Sequence, residues 1–199
     1  MKRLVLATHN KHKAEELQLL LDGTDIEILT LDSFPQVGDI EEDHDTLQGN
    51  ALKKARHVLQ LTSLPSLADD TGLEVFSLNG EPGVYSARYA GPNATYADNV
   101  KKLLLKMNGM PAHSRGAQFR SVLAFVTPEG FERVVEGVCN GEIIDHPRGT
   151  GGFGYDPVFL PSGHRQTFAE MSMDVKNTLS HRAKALHGIK GVLLSYFNP

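Results

Sequence analysis

Two carboxylates stand side by side at Asp69 and Asp70, within Ser66-Leu-Ala-Asp-Asp-Thr-Gly-Leu-Glu-Val75. If a strand over 64–68 leads into them, successive side chains alternate between faces, so the two point opposite ways and one of them leads in any site. Such a pair suits metal ligation or acid–base chemistry. Asp-Asp-Thr-Gly is equally good turn chemistry, and an aspartate can cap a helix, so both readings stand on this stretch alone. A second acidic run lies upstream, where five of the seven residues from Asp39 to Asp45 are Asp or Glu. It reads as a solvated loop, or as the source of an oxygen ligand, Glu41 or Glu42, for a hard divalent cation.

Three further stretches carry polar chemistry. Thr8-His9-Asn10-Lys11-His12-Lys13 sits where a buried strand passes into a helix, a place whose unpaired amides and partial positive charge favour phosphate. The alternative makes Asn10 a helix cap and leaves the lysines solvated. Gly149–Tyr155 holds four glycines in seven residues, which lets backbone approach a ligand closely. It has neither the Gly-Lys-Ser/Thr of a Walker loop nor the Gly-x-Gly-x-x-Gly order of dinucleotide folds. Phe153 and Tyr155 interrupt the glycines and suit stacking on a planar base, or plugging the core of a tight loop. Lys176, His181 and Arg182 could face an anion or a base carbonyl, although Ser180 as a helix cap explains that segment as well.

Composition removes several alternatives. The chain has 199 residues and a net charge of −4, without the basic bias expected of a partner for nucleic-acid polymer. Cys139 is the only cysteine, so no intrachain disulfide is expected and a reducing, cytoplasmic setting fits. The opening apolar run is too short for a signal-peptide core, and no later run reaches transmembrane length. The histidines lack zinc-site spacing, and no Gly-x-Ser-x-Gly marks a nucleophile.

The periodicities give an α/β chain. Strands are expected at Leu4–Ala7, Ile26–Leu29, 64–68, Leu73–Leu78, Ala117–Val126, Phe131–Cys139 and Val158–Leu160. Helices are expected after Asn10, over Thr46–Leu61 and Thr95–Met107, near Phe168–Met173, and over Ser180–Phe197 with Ala183, Leu186, Ile189, Leu193 and Tyr196 buried. Residues 117–139 read as a long hairpin.

In this order the motifs resemble the inosine/xanthosine triphosphate pyrophosphatases, over essentially the whole chain. The resemblance rests on Thr8-x-Asn10-x-x-Lys13, Asn50-Ala51 with Lys54 one turn on, and Ala68-Asp69-Asp70-Thr71-Gly72-Leu73. It continues through Gly83-Val-Tyr-Ser-Ala-Arg-Tyr89, Gly149-Thr-Gly-Gly-Phe-Gly-Tyr-Asp-Pro157 and Ser180-His181-Arg182. It implies one two-lobed domain over 1–199, built on a long twisted mixed sheet with flanking helices around a central nucleotide-binding cleft. It also implies a homodimer and Mg²⁺-dependent hydrolysis of non-canonical purine nucleoside triphosphates (ITP, dITP, XTP) to monophosphate and pyrophosphate.

Carried over by matching position, Thr8, His9, Asn10, Lys11, His12 and Lys13 bind triphosphate, and Lys54 lies near the phosphates. Glu42 and Asp70 hold the metal, Asp70 also being the general base, and Thr71 contacts substrate. Phe153, Gly154, Tyr155 and Asp156 form the base-binding loop, while Lys176, His181 and Arg182 read the 6-keto group and base edge. One departure stands out: many relatives carry glutamate just before Asn-Ala, and this chain has Gly49. Two rivals remain, a purine-nucleotide sensor without catalysis and a pyrophosphatase that prefers pyrimidine triphosphates.

Overall fold

The computed structural model describes residues 2–198, the side chain of His12 excepted. Six strands form one mixed sheet in the order β2-β1-β3-β4-β5-β6. The strands are β1 (Lys2–Leu6), β2 (Ile26–Thr30), β3 (Ser66–Val75), β4 (Gly116–Val126), β5 (Glu132–Ile143) and β6 (Phe159–Pro161). Five helices flank them: α1 (Lys11–Leu20), α2 (Leu47–Thr62), α3 (Tyr96–Lys106), α4 (Met173–Leu179) and α5 (His181–Phe197). β1 runs parallel to both β2 and β3, as a β–α–β opening requires, whereas β5 and β6 are antiparallel. Among the described residues no helix is long and apolar enough to cross a membrane.

The chain divides into two compact units, one of residues 1–70, 122–137 and 185–199, the other of 71–121 and 138–184. In the first, Leu4, Leu6, Leu67, Leu123 and Phe125 from the sheet pack with Leu17, Leu21, Ile189 and Leu193. In the second, Leu73, Val75, Phe119 and Ile143 pack with Val100, Leu103, Met107, Phe159 and Phe168. Each set removes enough apolar surface from water to be a core in its own right.

Three sequence expectations are corrected. Asp69 to Gly72 is neither a turn nor the end of a strand: β3 runs unbroken through it, and the separate strand expected at Leu73–Leu78 is the end of β3 followed by a 3₁₀ turn at Phe76–Leu78. β3 lies between β1 and β4, and its place within the sheet overrides the weak strand propensity of Asp and Gly. The helix expected near Phe168–Met173 begins instead at Met173, where the Ser172 hydroxyl accepts the Val175 N–H. Phe168 and Ala169 are buried, so their apolar character reflects plugging of the core and not a helical stripe. In α5 the buried line is His181, Ala185, Ile189, Leu193 and Phe197, leaving Ala183, Leu186 and Tyr196 only partly covered.

The other helices keep their expected faces, with Ala51, Ala55 and Val58 of α2 fully buried. Thr46 caps α2 through the Gly49 N–H, and Thr95 with Asp98 makes a reciprocal capping box on α3, satisfying amides that the first turn leaves unpaired.

Candidate active site

In the first unit, alternation along β3 sends its two carboxylates to different helices. Asp69 takes both its oxygens to Lys13 Nζ of α1, at 2.8 and 2.7 Å. Asp70 faces α2, where Lys54 Nζ lies 3.2 Å from Oδ1 and Asn50 Nδ2 3.2 Å from Oδ2. Lys54 also reaches Glu42 of the acidic loop at 2.6 Å. Of the two glutamates the sequence left open, the structure brings Glu42 to this cluster. A cavity of about 210 Å³ is lined by Thr8, His9, Lys13, Glu42, Lys54 and Asp69 among others. Asn10 and Lys11 are exposed; the Thr8 hydroxyl accepts the Asn10 N–H. The side chain of His12 lies outside the described residues.

Asp70 carries a strongly shifted carboxyl. Burial pushes its pKa up to about 6; Lys54 pulls it down, and the charge of Glu42 pushes it further up. A carboxylate so placed is a base near neutral pH, which is where a general base works best. Burial works against the charge of Lys54, but Asp70, Asp69 and Glu42 together hold its pKa above the ordinary value.

The donor set fits a hard divalent cation. Glu42 and Asp70 already converge on one cationic atom, the Lys54 ammonium. Among the described residues no group of three or more His, Cys, Asp or Glu side chains could cage a metal. One or two carboxylates, with water and substrate phosphate completing the shell, is how Mg²⁺ is commonly held.

In the second unit the glycine loop is held in shape by Asp156. Its buried carboxylate accepts the Phe153 N–H at 2.8 Å and the Lys176 ammonium at 2.5 Å. Gly152 is obligatory here: its φ is +71° and a Cβ would sit 2.1 Å from Asp156 Oδ2. Phe153 is exposed, with Lys176 Nζ 4.7 Å and the Arg182 guanidinium 5.9 Å from its ring centre. Tyr155 turns the other way, into the core, where its hydroxyl donates to the Ser86 carbonyl at 2.9 Å. Of the two aromatics, then, Phe153 alone offers a ring face to a ligand. His181 is buried and stacks on Phe119 at 4.7 Å between ring centres. Ser180 caps α5 by accepting the Ala183 N–H. Thr71 donates to the Ser121 hydroxyl.

Sequence reasoning gave no role to Asn50 or to Asp32, which pairs with His9 Nδ1 at 2.7 Å. The four-residue spacing of Asn50 and Lys54, which puts both on one helix face, is the signal that could have found the first.

Gly49 has a local cause. A Cβ there would lie 2.8 Å from Cβ of His44, so any larger residue must displace the acidic loop. An alanine inside a helix ordinarily gains up to about 1 kcal/mol over glycine. Here Gly49→Ala is expected to lose about 1–3 kcal/mol through overpacking, and His44→Gly in the same chain to recover it. Thermal melts of the single and double variants test this coupling.

Sheet and site together define an α/β protein with a carboxylate–lysine centre in one unit and a loop displaying an aromatic ring among cations in the other. The sequence pattern of the Ham1 family matches residues 4–192, and the chain belongs to that family. A dITP/XTP pyrophosphatase of Geobacter sulfurreducens is 47% identical over 190 residues, covering 96% of each chain. One from Porphyromonas gingivalis is 48% identical over 194 residues and 98% of each chain. A HAM1 protein from Coxiella burnetii superimposes with a TM-score of 0.93 at 42% identity, covering 98% of this chain and 100% of that one. A nucleoside-triphosphatase / dITP/XTP pyrophosphatase from Mycobacterium abscessus does so at 0.83 and 41%, covering 94% and 98%.

Proposed function

We propose that this chain is a nucleoside-triphosphate pyrophosphatase that clears non-canonical purine nucleotides, dITP, XTP and ITP, from the nucleotide pool. The observation that carries the reading is the convergence of Glu42 and Asp70 on Lys54, in a chain whose relatives bear the name dITP/XTP pyrophosphatase. A sensor needs no pair of carboxylates beside the phosphates. The same reading takes the protein to be a cytoplasmic homodimer that uses Mg²⁺.

The reaction breaks the anhydride bond between the α- and β-phosphates. The water oxygen joins one side, the nucleoside monophosphate and pyrophosphate separate, and the proton released passes to Asp70. Glu42 and Asp70 would hold a divalent ion, which would supply positive charge against the phosphates and acidify water. Asp70 orients and deprotonates the water; Lys13 and Lys54 stabilise the charge that builds on the transferred and leaving groups. Thr8 and the amides at the start of α1 hold the polyphosphate.

Base selection belongs to the second unit. Phe153 stacks on the purine, and Lys176, His181 and Arg182 donate to a 6-keto oxygen. On adenine they would meet an amino group and be left unpaired, a mismatch that discriminates by up to roughly 10⁴-fold.

The test is pyrophosphate release with Mg²⁺, comparing ITP, XTP and dITP with ATP, GTP and dTTP. Fast release from the first three is the expected result. A preference for dTTP would overturn the roles of Lys176, His181 and Arg182, and nucleotide binding without release would favour the sensor.

A further inference from the structure

Asp70 is gripped from one side by a single helix. Its two oxygens are taken separately by residues one turn apart on α2, Lys54 at Oδ1 and Asn50 at Oδ2. Both helix residues also hold the acidic loop: Lys54 grips the Glu42 side chain, and Asn50 Oδ1 accepts the backbone N–H of His44 at 2.9 Å. Asn50 is fully buried, so both ends of its amide depend on these partners.

The orientation of that amide admits one solution. A carboxylate can only accept and a backbone N–H can only donate, so the NH₂ must face Asp70 and the carbonyl must face the loop. Aspartate or leucine at this position could not serve both partners. Asn50 thus joins two segments that lie far apart in the chain and supply one carboxylate each.

We propose that Asn50 is a positioning residue for hydrolysis, setting the plane of the Asp70 carboxylate and the height of the Glu42 loop above it. The proposal rests on the reading of Glu42 and Asp70 as the metal-holding pair. It assigns Asn50 an effect on turnover and on cation affinity, with nucleotide binding left to the residues at the start of α1 and to the second unit.

The experiment uses Asn50→Leu, close in volume to the wild-type side chain, and Asn50→Ser, which can serve one partner only. For each, kcat and KM for dITP are measured, together with Mn²⁺ binding to the nucleotide-free protein by calorimetry. The expected result for Asn50→Leu is a kcat lower by about 100-fold, KM within threefold, and Mn²⁺ affinity weaker by roughly 10-fold or more, as for loss of a partner that orients a metal ligand. Asn50→Ser is expected to fall between, and keeps the test open if the leucine variant does not fold. Wild-type kcat and Mn²⁺ affinity in either folded variant would overturn the proposal. So would a loss confined to the fraction of active molecules, with kcat per active site unchanged. Asp70→Asn measured alongside separates the two levels: if it too keeps full turnover and Mn²⁺ affinity, the reading of the site itself fails.

Discussion

Asp70→Asn is expected to abolish turnover, by about 10³-fold or more, and at the same time to gain melting temperature relative to wild type as pH rises from 4 to 8. The first effect follows from removing the proton acceptor and one of two carboxylates that converge on the same cationic atom. Losing a positioned base alone typically costs 10²–10⁴-fold. The second follows from the cost of a buried charge. The pKa of Asp70 stands at about 6 in the fold, raised by burial from an ordinary 3.8. Its neutral form is therefore the one the fold prefers. Stability tied to this group is fully present below the unfolded value and is lost as pH rises through about 6. At pH 8 a neutral amide escapes that loss, which amounts to about 3 kcal/mol, while its NH₂ faces one of two donors, the Lys54 ammonium or the Asn50 NH₂, at a cost of about 1–3 kcal/mol at any pH. The melting temperature of the variant relative to wild type should thus be several degrees more favourable at pH 8 than near pH 4. Melts are run in chelator, so that a cation bound to the wild-type carboxylates does not offset the difference. A melting difference that stays constant between pH 4 and pH 8 would show that burial does not penalise the charge of Asp70.

Lys176→Met is the second large effect, and its signs are reversed: the fold weakens and selectivity relaxes. Lys176 and Asp156 form a pair whose side chains are 10% and 4% exposed. Deleting one partner of a buried pair leaves the other charge uncompensated, at a cost of about 3–5 kcal/mol. For a chain of this size that is a fall in melting temperature of roughly 10 °C. The Phe153 N–H remains on Asp156, so the glycine loop is loosened and not released. The same variant removes one donor aimed at the 6-keto group, and the ratio of kcat/KM for dITP over dATP should drop by at least 10-fold. Asp156→Asn with Lys176→Met, which removes both charges together, should recover part of the stability and none of the selectivity. A Lys176→Met chain that melts with wild type yet has lost selectivity would separate the base-reading role from the structural one.

Much of the site was legible because its chemistry is written in short runs. The strand-to-helix passage at Thr8–Lys13, the acidic run before α2 and the glycines of 149–154 are local features, and residue type together with immediate neighbours is enough to mark them. Helix faces with strong periodicity were equally readable, as in α2 and α3. Expectation failed where an apolar residue had a reason other than helix or strand. Phe168 is buried as a plug beside Phe119 and Phe159, so the stretch around it imitates a helix. On α5, Ala183 and Leu186 fit the apolar spacing, but the burial line follows Ala185, Ile189 and Leu193, set by the sheet residues they pack on.

Sequence therefore settled which residue types were available and roughly which elements carry them, since propensity and spacing are properties of neighbours along the chain. Folding settled which of them meet. Asp69 finds Lys13 across 56 residues and Asp156 finds Lys176 across 20. Whether Asp69–Gly72 turned or ran straight depended on β3 continuing through it as a strand of the mixed sheet. The pKa of Asp70 follows from that choice as well. A carboxylate at a solvated turn titrates near 4, whereas the same group in a buried strand, facing Lys54 and Glu42, is held near neutrality, because the low-dielectric surroundings that raise it exist only once the chain has packed.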